Sequence, residues 1–162
     1  MTGSLSRTGT SPAAISIGGN GNPQTKYIDT NYVNNDAAWT IEIIVKALSV
    51  NGSGDSIIRK DGTGTGWWFG AQGNTWYFRN QHAGANTDRH VITFGSNGKV
   101  WIDGSLLEEI FTGTENSTGS IRIITGITGN TVEVSRFKYY DRTLTDAEIT
   151  SNSSKQKTEL GF

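Results

Sequence analysis

Three chemistries have partial residue sets in this chain: glycosidic hydrolysis, metal binding and sugar recognition. Hydrolysis with retention needs two carboxyls about 5–5.5 Å apart across the scissile bond. Glu42 stands alone on its strand, the adjacent Glu108 and Glu109 face opposite ways, and Glu133 has no acid two residues on. No carboxylate pair shares a strand face, so the chain reads as a non-enzyme. His82 and His90 lack ligand spacing and read as surface or packing residues. Oxygen-rich loops occur at Asn51 with Asp55, at Asn86 with Asp88 and at Asp141. Those residue types suit a hard cation, and they also serve turn geometry.

Sugar recognition has the fullest set. It needs aromatic faces for the apolar side of a sugar ring, and amides, carboxylates or guanidinium groups for the hydroxyls. Trp68, Trp76, Tyr77, Arg79, Asn80 and Gln81 supply both kinds in a short span, and Asn86 and Asp88 follow. These eight are the candidate glycan contacts, with the polar loop over residues 80–88 as the contact surface. The competing role for each tryptophan is the core of the fold.

Short strands must position these residues. Residues 67–69 and 76–78 are aromatic runs flanking a Gly/Asn loop, the pattern of a hairpin. Side chains alternate along a strand, so Trp67 and Trp68 cannot enter one core together, nor can Trp76 and Tyr77. Residues 39–48 are apolar on both faces, with Ile41, Ile43, Val45 and Ala47 on one and Ile44 and Leu48 on the other, which predicts a central strand. Strands are also expected near residues 26–32, 56–60, 89–94, 99–103, 106–110 and 121–125, with Asp103-Gly104 as a turn. The glycine-rich stretch 61–66 lacks the lysine and following helix of a phosphate loop.

The C-terminal part carries the strongest local grammar. Val132, Val134, Phe137 and Tyr139 are the inward candidates of one strand, and their spacing of two, three, two predicts a β-bulge near Ser135 and Arg136. Thr145 and Glu148 stand at capping-box spacing, and Asp146 adds negative charge to the first turn of a short helix. Leu144 and Ile149 would clip that turn onto a sheet.

Composition agrees with this pattern. Gly, Ser, Thr and Asn make up about 43% of the 162 residues, which suits many short strands joined by turns. The chain contains no cysteine, which excludes disulfides and thiolate metal sites. A net charge of −1 with scattered charges argues against nucleic acid as a partner. No apolar run reaches the roughly 18 residues of a membrane span, and the N-terminal residues lack a signal-peptide apolar region. The expected fold is an all-β antiparallel sandwich, or jelly roll, with one short C-terminal helical turn. Residues 1–25 read either as a first strand with a frayed end or as a docking arm, 26–151 as the sandwich, and 152–162 as a polar tail.

Four stretches, WTIEIIVKA, IIRKDG…GWWFG, RHVITFGSNGKVWIDGSLL and VSRFKYYDRTLTDAEI, occur in the order seen in laminin-G-like domains of the concanavalin A-like superfamily. KVWIDGSLL resembles that family's V-Y-x-D-G-x-L segment, with Trp101 at the aromatic position. YYDRTLTDAEI resembles its Y-N-R-x-L-S-x-x-E-I ending, with Asp141 in place of Asn and Thr145 in place of Ser. The resemblance covers residues 26 to 151. It implies two curved antiparallel sheets and a binding role, with calcium as the implied cofactor at Asn51, Asp55 and Asp141. The E-x-D-x-x-E strand of the superfamily's hydrolases is absent. The expected function is a lectin-like surface-recognition module for glycan binding or adhesion. The alternative is a structural virion protein of a bacteriophage, a capsid decoration or fibre component docked to capsid or fibre proteins through its N-terminal arm. Either places the chain extracellularly or on a virion surface.

Overall fold

The computed structural model describes residues 6–8, 14–18, 27–30, 37–47, 55–60, 67–72, 75–78, 80–83, 86–109, 119–124 and 131–162. The first strands are β1 (Ser6–Thr8), β2 (Ala14–Gly18), β3 (Tyr27–Asp29), β4 (Thr40–Ala47) and β5 (Asp55–Lys60). The aromatic region supplies β6 (Trp67–Gln72), β7 (Thr75–Phe78) and β8 (Asn80–Ala83). Next come β9 (Arg89–Gly95), β10 (Lys99–Ile102), β11 (Ser105–Glu109), β12 (Ile121–Ile124) and β13 (Thr131–Tyr140). The chain closes with α1 (Asp146–Leu160).

The strands form two antiparallel sheets, as the all-β reading expects. One has seven strands in the order β1-β2-β13-β4-β9-β10-β11, the other six in the order β3-β12-β5-β6-β7-β8. The main core lies between them. Ile41, Ile43, Val45, Ile92, Phe94 and Val100 come from the seven-stranded sheet, and Ile58, Phe69, Trp76, Ile121 and Ile123 from the other. Phe69 bridges the layers, stacked on Trp76 at 5.6 Å and on Phe94 at 5.8 Å between ring centroids.

Strand β13 carries the expected bulge. Its register against β4 shifts between Val134 and Arg136, which keeps Val134, Phe137 and Tyr139 on the core side. Strand β4 is buried on its other face too, at Thr40, Glu42 and Ile44. Contacts from α1 and the segment before it cover that second face. Leu144 and Ile149 pack with Trp101 and Tyr140 in a second small core. Leu144 N–H donates to Thr40 Oγ1 at 3.0 Å, and the Thr40 hydroxyl donates to the Arg142 carbonyl at 2.9 Å. Arg136 reaches Glu159 at 2.8 Å, and Asn152 Nδ2 donates to the Tyr140 hydroxyl at 3.3 Å.

The two family-like motifs meet in this helix contact. Asp103 and Gly104 both have positive φ, 55° and 81°, as the two-residue hairpin between Ile102 and Ser105 requires. A Cβ on Gly104 would stand 3.1 Å from Ser153 Cβ and 3.2 Å from Thr150 Cα, so only glycine admits the helix this close. The Thr150 hydroxyl donates to the Gly104 carbonyl at 3.1 Å.

Three boundaries differ from expectation. Segment 152–162 is a helix as far as Leu160, followed by Gly161 in the left-handed region at φ 73°. A full capping box starts it, and Ile149, Ser153 and Gln156 line its buried side. Within residues 1–25, β2 pairs with β13 and β1 with β2, so the described parts belong to the seven-stranded sheet. Residues 80–83, read as part of a loop, are instead strand β8, the partner of β7. The described residues contain no helix long and apolar enough to cross a membrane.

The helix start has a defined pH dependence. Arg142 foremost, then the Thr145 backbone N–H and hydroxyl, hold the Glu148 carboxyl down at about 2, against an ordinary 4.5. A depressed folded value means the stabilisation is complete above pH about 4.5 and is lost as pH falls towards 2. Glu148→Ala should therefore unfold at lower urea than the native chain at pH 7, and the gap should close as both are titrated to pH 2.

Candidate functional site

The register of the six-stranded sheet sorts the sugar-contact candidates by face. Phe69 and Trp76 lie in the core, so the alternate positions of β6 and β7 belong to the opposite face. Trp68 is directly across from Arg59, and Arg59 from Arg122, which in turn is opposite Asp29. These four residues form one row across β6, β5, β12 and β3. Ile58 and Ile123, each one position along, are core residues, which puts the row on the outer face. On β7, Tyr77 is opposite Gly70 and Gln81, in the same outer phase as Trp68.

Trp76 takes the competing role. It is 1% exposed, stacked on Phe69 and edge-on to His90 at 5.5 Å, so its face is unavailable to a sugar. Asn80 pairs with Phe78, out of phase with Gln81, and so cannot share its face. Arg79 lies outside the described residues. The recognition candidates thus divide by alternation, and Trp68, Tyr77 and Gln81 are the ones brought to a common face.

Asn86 and Asp88 belong to a different cluster, around His90. Asn86 Oδ1 accepts the Asp88 backbone N–H at 2.7 Å, which identifies it as the oxygen, and His90 Nε2 donates to it at 2.8 Å. His90 Nδ1 donates to Asp103 Oδ2 at 2.8 Å. Both ring nitrogens face acceptors, an arrangement completed by a ring carrying both N–H groups. Asp103 Oδ1 accepts the Val91 N–H at 3.0 Å, and Lys157 of α1 stands 3.8 Å from Oδ2. Burial pushes the Asp103 carboxyl up, but the hydrogen bonds from His90 and Val91 and the charges of His90 and Lys157 outweigh it and leave it lowered. His90 is thus a structural knot joining β9, the β10–β11 turn and α1. Its packing role follows the sequence reading; its partners do not show in local spacing.

The calcium candidates stay apart. Asp55 opens β5 in one sheet, Asp141 is exposed after β13 of the other, and Asn51 lies outside the described residues. Among the described residues no group of three or more His, Asp or Glu gathers to hold a metal ion. Glu42, the lone strand carboxylate, is buried and paired with Lys138 at 3.2 Å. It also accepts a 3.4 Å hydrogen bond from Tyr140, whose hydroxyl is pushed up to about 12 by burial and by Glu42.

No protein-family model matches the chain, and no curated protein does. Solved structures do. The binding domain of botulinum neurotoxin DC in complex with SialylT superposes with a TM-score of 0.74 at 15% identity, over 94% of this chain and 44% of that one. A botulinum neurotoxin type C structure, described by its interaction with two ganglioside molecules, gives 0.70 at 14% identity over 94% of this chain and 45% of that one. Trypanosoma rangeli sialidase gives 0.61 at 13% identity, over 74% of this chain and 23% of that one. The likeness is one of fold. This chain spans under half the length of the toxin domains, so what they bind belongs to proteins more than twice as long.

The assignment of Trp76 to the core sets a stability prediction. Trp76→Ala should lower the unfolding free energy by about 3–5 kcal/mol in urea denaturation, the cost of emptying a large aromatic site. Asp103→Asn should also destabilise at neutral pH. Because the Asp103 carboxyl is lowered in the fold, that deficit should be full above its ordinary 3.8 and shrink as pH falls below it.

Proposed function

We propose that this chain is a non-catalytic recognition module that binds glycans on the outer face of its six-stranded sheet. The observation that carries this reading is the register row Trp68–Arg59–Arg122–Asp29, with Tyr77 and Gln81 in the same phase nearby. An aromatic next to guanidinium and amide groups on a paired sheet suits a sugar, which offers an apolar ring face and a rim of hydroxyls. A rigid sheet also keeps the ordering cost of binding low.

Two further facts support it. The fold matches binding domains described with sialylated and ganglioside partners, although the function of a fold resides in its sites. The laminin-G-like assignment, which also implies binding, gains support from the direct packing of the Asp103-Gly104 turn against α1, because the two motifs that suggested it form one contact. Calcium at Asn51, Asp55 and Asp141 stays a secondary proposal, for which equilibrium dialysis with calcium is the direct test. On this reading the chain works outside the cell or on a particle surface.

A virion role is the second reading. Strand β1 is an edge strand of the seven-stranded sheet, and an edge is a template for strand addition from capsid or fibre proteins.

A broad glycan array probed with the full chain tests the first reading. Saturable binding is expected, and Trp68→Ala should weaken it by about 2 kcal/mol, roughly 30-fold, at unchanged thermal stability. A blank array, or full binding by a folded Trp68→Ala chain, would count decisively against it.

A further inference from the structure

The outer row holds an excess of positive charge in an arrangement that strand pairing alone does not favour. Arg59 and Arg122 occupy directly opposed positions on β5 and β12. Side chains so paired start about 4.5–5.5 Å apart at Cβ, and like charges there repel. One carboxylate of the row offsets them: Asp29 Oδ2 lies 3.4 Å from Arg122 Nε, with both side chains 30% exposed. Two guanidiniums and one carboxylate leave the row with a single net positive charge. The Nε atoms of Arg59 and Arg122 are enclosed, so the charge is partly withdrawn from water and poorly screened.

We propose that Arg59 and Arg122 form a subsite for the carboxylate of an acidic sugar, with Trp68 the neighbouring position for the sugar ring. The planar fork of a guanidinium matches a carboxylate in two-point geometry, which makes arginine the residue for this anion. The charge balance fits as well, since one carboxylate neutralises the row while Asp29 stays paired and disfavours a more highly charged group. The order along the row is aromatic, cation, cation, acid. A ring placed at Trp68 therefore carries its acid group towards the arginines. This assignment rests on glycan recognition by the outer face and adds the ligand class, sialic acids or uronic acids.

Titration calorimetry with the full chain tests it, using four forms of one oligosaccharide: neutral, carboxylated, carboxyl-reduced and sulfated. The carboxylated form should bind about tenfold or more tighter than its carboxyl-reduced form, the usual scale of a hydrogen-bonded charge pair. Arg59→Gln and Arg122→Gln should each erase that preference while leaving the weaker neutral binding. Trp68→Ala should weaken all four forms. Arg122→Gln also strips Asp29 of its partner, so thermal unfolding is measured alongside, and Arg59→Gln carries the test if the other variant fails to fold. Equal binding of the neutral and carboxylated forms, or a preference that survives Arg59→Gln, overturns the subsite and leaves glycan recognition standing. Equal or tighter binding of the sulfated form overturns the carboxylate assignment. Failure of every form to bind overturns the recognition reading and this subsite with it.

Discussion

Strand β4 must be buried on both faces, and the rest of the architecture follows from that. Ile41, Ile43 and Val45 demand a second sheet, and β5, β6, β7 and β12 supply it. Thr40, Glu42 and Ile44 demand cover on the other side. The chain meets that demand with its one described helix, pinned at Trp101, at the Thr40 hydroxyl and on the Gly104 turn. Buried polar groups on this side need partners: Glu42 takes Lys138 and Tyr140, and Thr40 takes the backbone at Leu144 and Arg142. The helix is thereby committed to the seven-stranded sheet. The outer face of the six-stranded sheet, with its arginine and tryptophan row, is the face left to recognition.

Local grammar was legible where a few neighbouring residues decide the outcome. The bulge at Ser135 shows as a break in apolar phase, the capping box as Thr145 and Glu148, and the hairpin as Asp103-Gly104. The length of α1 was hidden because its buried side continues from Ile149 with Ser153 and Gln156, which leave no apolar stripe to count. Strand β8 was hidden because an edge strand of polar residues resembles a loop until its partner β7 is known.

The candidate site was legible by residue type and illegible by phase. Alternation requires Trp76 and Tyr77 to part company, but which one faces in depends on Phe69 and Phe94 across the core. Arg122 sits between Ile121 and Ile123, a local sign that it faces away from the core. Its position opposite Arg59 depends on pairing two strands some sixty residues apart, which no local pattern records. The same holds for His90, whose partners Asn86 and Asp103 lie on different loops. The fold itself persists at 15% identity to a solved binding domain, because burial pattern and turn chemistry carry it and individual contact residues do not.

The central claim is that recognition belongs to the outer face of the six-stranded sheet, reached by the residues that alternate with its core. Two-dimensional NMR of the isotope-labelled chain during titration with a sialylated oligosaccharide tests it most directly. The account predicts that the Trp68 indole N–H and the signals of Arg59, Arg122 and Tyr77 shift together and saturate. The Trp76 indole and the methyls of Ile58 and Ile123 should hold still. Shifts gathered instead at Trp76, at the His90 cluster or along α1 would contradict it.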